Sequence, residues 1–211
     1  MNEIAKIEQS RQILEAALKK LIADLGKIQI GSRKHFPYGW RKAKKGRTVW
    51  RLLEEIICQN LEQKAEEYSF KAVTPSDSEV SVYDLRLSLK ENGDSVYINI
   101  KSAVNDIKVS KDDISKAVGL IDFFDKNPNE KLYIATFLIR FNDDMTIELI
   151  DCYVMPITWL PDIYVNPSNN GNLQSSKYKN IESAIKRTNA DFIKALRDEI
   201  LVAKKKKQEQ K

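Results

Sequence analysis

Two cysteines and one histidine, Cys58, Cys152 and His35, are all that 211 residues offer as thiol or imidazole ligands. They form no CxxC pair and cannot build a zinc site of the usual Cys and His types. So few thiols fit a reducing cytosol, and a cytoplasmic location is the expectation. Long apolar runs are missing as well. The strongest, LYIATFLI at 132 to 139, is far too short to span a bilayer. The N-terminal stretch is acidic and amphipathic, without a charged segment leading into an apolar one, so a soluble, non-exported protein is expected.

What is present is the composition of a folded domain. The 42% hydrophobic content and the length suit one domain over residues 1–211 with a substantial core. Lys and Arg number 35 against 30 Asp and Glu, a formal charge of +5, which tilts the expected partner toward a polyanion.

Ile4, Ile7, Leu14, Leu18, Leu21 and Leu25 recur at helical spacing through residues 2–25, broken only by Arg11, and Gly26 ends the pattern. The apolar seam is narrow. It suits a helix laid on the domain's own core and equally a helix pairing with its copy in a homodimer. Residues 31–47, GSRKHFPYGWRKAKKGR, place Arg33, Lys34, Arg41, Lys42, Lys44, Lys45 and Arg47 among His35, Phe36, Tyr38 and Trp40. Gly and Pro disfavour a long helix there. The segment reads as a basic aromatic loop, either a solvated charge run or a surface for phosphates and bases.

A helix is expected from Thr48, as N-cap, to Glu67, on the spacing of Val49, Leu52, Leu53, Ile56, Ile57 and Leu61. Glu54 lies at the edge of that stripe and Glu55 points further away. Phe70 to Val73 suggests a short strand, Lys111 to Phe124 a helix, and Lys131 to Phe141 and Thr146 to Met155 strands, the first apolar enough to be buried on both faces. Residues 166–180, NPSNNGNLQSSKYKN, read as a polar loop. Its Asn169, Asn170, Asn172, Gln174 and Lys177 could read base edges or simply meet water. Ile181 to Val202 reads as a last amphipathic helix, and residues 204–211 as a frayed basic tail.

The segment VYDLRLSLKENGDSVYINIK, residues 82 to 101, carries the sharpest signal. Asn92-Gly93 is a strong signal for a two-residue type I′ turn. Counting outward sets Leu89, Leu87 and Leu85 against Val96, Ile98 and Ile100, an aliphatic face. On the other face Arg86 meets Asn99 and Asp84 meets Lys101, putting Asp84, Asn99 and Lys101 in one patch. By itself that patch reads first as a surface salt bridge between Asp84 and Lys101.

With the order of elements around it, the segment resembles the PD-(D/E)XK nucleases, type II restriction endonucleases in particular. The Asp of the first strand looks like Asp84, the acidic-x-Lys triplet like Asn99-Ile100-Lys101, and the upstream helix acid like Glu54 or Glu55. The likeness covers residues 48 to 140, within a catalytic core of 48–155, and implies a mixed α/β sheet flanked by helices with an αβββαβ core. Tyr83 replaces the family's Pro. Asn99 replaces an acid and removes a negative charge, which makes the helix Glu more important. The resemblance implies Mg²⁺ held by Asp84, Asn99, the Ile100 carbonyl and Glu54, with Lys101 stabilising the attacking hydroxide. It also implies double-stranded DNA as substrate, a homodimer that cuts both strands, and a cognate DNA methyltransferase protecting host DNA. Another nuclease of the superfamily and a non-catalytic DNA-binding protein are the alternatives.

Overall fold

Helix α1 spans Glu3–Leu25 because it is capped at both ends. The Asn2 side chain accepts the Ala5 N–H at 2.9 Å. Gly26, at φ +55°, turns the chain out of the helix. The computed structural model describes residues 2–41, 46–78, 81–104, 111–168 and 171–209, with the side chains of Gly46 and Arg47 outside that description.

After α1 come β1 (Lys27–Gln29), α2 (Gly46–Gln63), β2 (Phe70–Pro75), β3 (Leu85–Leu89), β4 (Ser95–Val104), β5 (Asp112–Lys116), α3 (Ala117–Lys126), β6 (Lys131–Phe141), β7 (Thr146–Pro156), β8 (Tyr164–Val165), β9 (Asn172–Ser175) and α4 (Asn189–Glu209). Among the described residues six strands form a mixed sheet in the order β1-β7-β6-β4-β3-β2, and three more form a small sheet, β5-β9-β8. Strand β4 is antiparallel to β3 and parallel to β6, and α3 lies in the connection that parallel pairing requires. The mixed sheet flanked by helices is thus present, and α2, β2, β3, β4, α3 and β6 follow in αβββαβ order with β5 added before α3.

The α1 seam lies on the chain's own sheet. Leu14, Leu18 and Leu21 are fully buried, α1 packs along β7, and Tyr133 Oη donates to the Ile7 carbonyl at 2.9 Å. Arg11 is held by Glu8, at 2.8 Å, and Glu15 of the same helix. A contact between copies therefore has to use other surface. Among the described residues no helix is long and apolar enough to cross a membrane.

The hairpin register differs from the expected one by two residues. Leu85 pairs with Ile98 and Leu87 with Val96. The turn spans Lys90 to Gly93, closed by Gly93 N–H on the Leu89 carbonyl at 3.1 Å and Leu89 N–H on that of Asp94 at 2.9 Å. Only Gly93 takes a positive φ, +73°; the Asn92 side chain instead accepts the Asp94 N–H at 3.0 Å, an Asx turn that replaces the type I′ geometry. A shift of two preserves the faces, so Leu85, Leu87, Leu89, Val96, Ile98 and Ile100 are all buried.

Further boundaries move. α2 begins at Gly46 and takes Thr48 into its first turn. Residues 112 to 116 form β5, and α3 starts only at Ala117, because pairing with β9 overrides helical spacing. The last helix starts at Asn189. Trp159 holds the preceding stretch extended, accepting the Ile185 N–H at 3.0 Å and donating to the Arg187 carbonyl at 3.1 Å, and Thr188 accepts the Asp191 N–H at 3.2 Å as a cap. Residues 204 to 209 continue α4 as regular helix where a frayed tail was expected.

With Leu18 sealed between α1 and the sheet, Leu18→Ala should lower unfolding free energy by about 2–5 kcal/mol. Urea denaturation followed by circular dichroism measures this; a loss below about 1 kcal/mol contradicts the packing.

Candidate active site

Strand β3 begins its ladder at Leu85, and Asp84, the residue before, takes the next position along β4 with its side chain. The Asp84 N–H donates to the Ile98 carbonyl at 2.8 Å, and Oδ2 accepts the Ile100 N–H at 2.5 Å. The carboxylate thus stands in for a strand partner, fixed at the point where β3 leaves β4. Burial pushes its pKa up, the Ile100 N–H and then Lys101 pull it back, and Arg51 does so further.

Glu54 approaches from α2. Its side chain is largely buried, and Oε2 has no hydrogen-bond partner. Burial raises its pKa first and repulsion from Asp84 second, so the two carboxylates feel one another. Lys101 lines a narrow cleft of about 10 Å³, room for a single water or ion, with Glu54, Trp50, Leu53, Ile57, Ile100 and Phe137 among its walls. Burial pushes the Lys101 pKa down, while Asp84 and Glu54 hold it up most strongly, followed by Asp113 and Asp112 of β5. Cys58, one turn beyond Glu54, is pushed up to about 12 by burial and then by Asp84, leaving an inert thiol.

The structure therefore brings Asp84, Glu54 and Lys101 together. Glu55 points to solvent and accepts a hydrogen bond from Gln59 at 2.7 Å. Asn99 is buried, but its Nδ2 donates to the Val82 carbonyl at 3.0 Å, and its Oδ1 has no partner. Val82, and not the Asp84 carboxylate, is what the Asn99 amide binds. Tyr97, two residues earlier on the same face, meets Phe123 of α3 edge-on at 5.0 Å. Ile100 supplies its N–H to Asp84 and its side chain to the cleft.

Among the described residues no group of three or more His, Cys, Asp or Glu could hold a metal ion. Two carboxylates remain, with an unpartnered oxygen on Glu54. That donor set fits a hard cation bound through one or two carboxylates, water and a substrate phosphate, the habit of Mg²⁺.

The basic aromatic segment is partly structural. Trp40 is buried, donates from Nε1 to the Asn142 carbonyl at 2.7 Å and packs edge-on to Phe141 at 4.9 Å, which corrects its expected role as a base contact. Arg33 donates to the Asp143 carbonyl at 2.9 Å, and His35 Nδ1 lies 3.2 Å from Ser32 Oγ. Lys34, Tyr38 and Arg41 are exposed, Tyr38 at 72%, with the Arg41 guanidinium 4.1 Å over its ring. Lys42, Lys44, Lys45 and the Arg47 side chain lie outside the described residues.

The expected reading loop at 166–180 contains strand β9, another correction. Asn172 is laddered with Lys116, and Gln174 Nε2 donates to Asp113 at 2.7 Å. Leu173 and Ser175 are buried, and alternating burial makes this polar sequence a strand. Lys177 is exposed; Asn169 and Asn170 lie outside the described residues. Sequence reasoning missed Asp112 and Asp113, read as the start of a helix, and Arg51, whose pattern of neighbours carries no signal.

The chain matches no family model, and no curated protein is significantly similar to it.

The Glu54 shift has a consequence for stability. Its folded pKa lies above the unfolded value, so the stability tied to it is full below the unfolded pKa and is lost as pH rises through the folded one. Glu54→Gln should remove that loss. The stability difference between variant and wild type should grow in the variant's favour as pH rises from below the ordinary glutamate range to neutrality. Denaturation midpoints across that range check it, and a pH-independent difference contradicts the coupling.

Proposed function

We propose that this protein is a Mg²⁺-dependent endonuclease of the PD-(D/E)XK type, a type II restriction endonuclease cutting double-stranded DNA at a specific short sequence. The observation that carries the reading is the convergence of Asp84, Glu54 and Lys101 where β3 parts from β4. A patch of charges at a water-exposed sheet surface would need no such burial.

Asp84 and Glu54 would hold the cation, with the Ile100 carbonyl as a further oxygen. When bound, Mg²⁺ polarises the scissile phosphate and lowers the pKa of a coordinated water. Lys101 does what neither carboxylate can. Its ammonium donates hydrogen bonds to the attacking hydroxide and to charge developing on the phosphoryl oxygens, and in a desolvated cleft such a bond is stronger than in water. Asp84 meanwhile keeps its orientation through the Ile100 N–H.

Cutting both strands of a palindrome calls for two such sites, hence a homodimer assembled through surface other than the α1 seam. The exposed Lys34, Tyr38 and Arg41 supply phosphate and stacking contacts to the duplex. One observation favours a second reading, a non-catalytic DNA-binding protein: the position of the family's triplet acid carries an amide, Asn99, whose Nδ2 is engaged with the Val82 carbonyl.

Plasmid digestion with Mg²⁺ separates the readings. Discrete fragments, lost on chelation, are expected of a restriction enzyme; structure-dependent nicking indicates another nuclease of this type, and a gel shift alone indicates the binder. Asp84→Ala and Lys101→Ala should each reduce cleavage by on the order of 100-fold or more with folding retained. Glu54→Gln should lose more activity than Glu55→Gln. Near wild-type cutting by either the Asp84 or the Lys101 variant would falsify the site.

A further inference from the structure

Arg51 follows Trp50 near the start of α2, and its guanidinium lies 3.9 Å over the Trp50 ring. Trp50 lines the cleft beside Glu54 and Lys101. The nearest acid is Glu54, with Nη1 to Oε1 at 3.6 Å, an ion pair too long to be a hydrogen bond. The Arg51 side chain is 68% exposed against 17% for Glu54, so it stands at the mouth and Glu54 within. Its field reaches both Glu54 and Asp84.

A surface pair of this kind contributes little to stability, and a guanidinium has five N–H donors in a rigid fork. Stacking on Trp50 fixes the plane of that fork and reduces the entropy lost when it takes a ligand. A planar fork beside Glu54, facing solvent, stacked on Trp50 and paired with that acid only at long range, is matched by a phosphate, which accepts two parallel N–H bonds. We propose that Arg51 binds a DNA backbone phosphate at the mouth of the cleft, and that Glu54 competes with that phosphate for it. The inference rests on the nuclease reading for the identity of the polyanion. It adds a coupling: a cation taken up by Glu54 releases Arg51 to the substrate.

The test is duplex binding without metal, by fluorescence anisotropy of a labelled oligonucleotide across a salt series. Arg51→Gln should bind roughly tenfold more weakly. Its slope of log affinity against log salt should fall by about 0.9, the loss of one phosphate contact. Arg51→Lys should keep the slope and bind more weakly than wild type, because charge survives and the fork does not. Glu54→Gln should bind more tightly than wild type, and that gain should vanish in the Arg51→Gln background. A gain of equal size there means general repulsion and overturns the competition; unchanged affinity and slope in Arg51→Gln overturn the phosphate contact. Melting by circular dichroism shows that each variant is folded. A wild type that loses binding on Arg51→Gln yet never cuts with Mg²⁺ removes the nuclease reading and keeps the contact. One that cuts while Arg51→Gln binds and cuts normally does the reverse, and a wild type that binds no duplex overturns the inference.

Discussion

Strand β4 has to be covered on both faces, and most of the architecture follows from that. Val96 to Ile100 are buried without interruption, so neither face can meet water. On one face Ile100 shares a cleft with Leu53 and Ile57 of α2; on the other Tyr97 meets Phe123 of α3. The two edges are taken by an antiparallel β3 and a parallel β6, and the parallel pairing places α3 in the connection. On its β3 side this strand opens where β3 ends at Leu85. Asp84 fills the opening by accepting the Ile100 N–H that a longer β3 would have satisfied.

The candidate site is thus a place where regular pairing ends inside a desolvated environment. Desolvation is the largest influence on Asp84, Glu54 and Lys101 alike, and each would be better solvated apart. Two acids and one ammonium compensate only partly, since Asp84 and Glu54 also repel. Such an arrangement works against folding stability. Arg51 provides partial relief from the mouth, lowering the pKa of both carboxylates while remaining largely in solvent.

Around the site, polar and aromatic residues divide between anchoring and exposure. Trp40 ties the basic segment to the β6–β7 turn through Asn142 and Phe141, which leaves Tyr38 and Arg41 outward as a stacked pair. The small sheet is organised by half-buried acids. Asp162 accepts from Ser175 and Ser176, and Tyr178 donates to Asp112 at 2.7 Å. Its β5 edge sets Asp112 and Asp113 in the field of Lys101, so residues whose sequence reads as the start of a helix contribute to the electrostatics of the cleft.

The sequence by itself determined the parts that depend on local periodicity. Alternation along residues 85 to 89 and 96 to 100 set the aliphatic face, and a register error of two residues left that face intact because two is the period of a strand; the burial of Tyr97 and Asn99 on the other face came from packing. Helical spacing placed Glu54 at the edge of the apolar stripe and Glu55 further out, and the order of α2, β2, β3, β4, α3 and β6 was legible for the same reason, while β1, β5, β8 and β9 were not. Tertiary structure alone decided what depends on distant partners. Asn99 turned to Val82, Trp40 went into the core, and β9 formed in a stretch of Asn, Gln and Ser because β5 and β8 offered it edges. The α1 seam was compatible with two partners, and only the packed sheet chose β7. Burial and hydrogen bonding are properties of the whole fold: an apolar pattern says that a face will be covered, while what covers it is decided by whichever surface the remaining chain brings within reach.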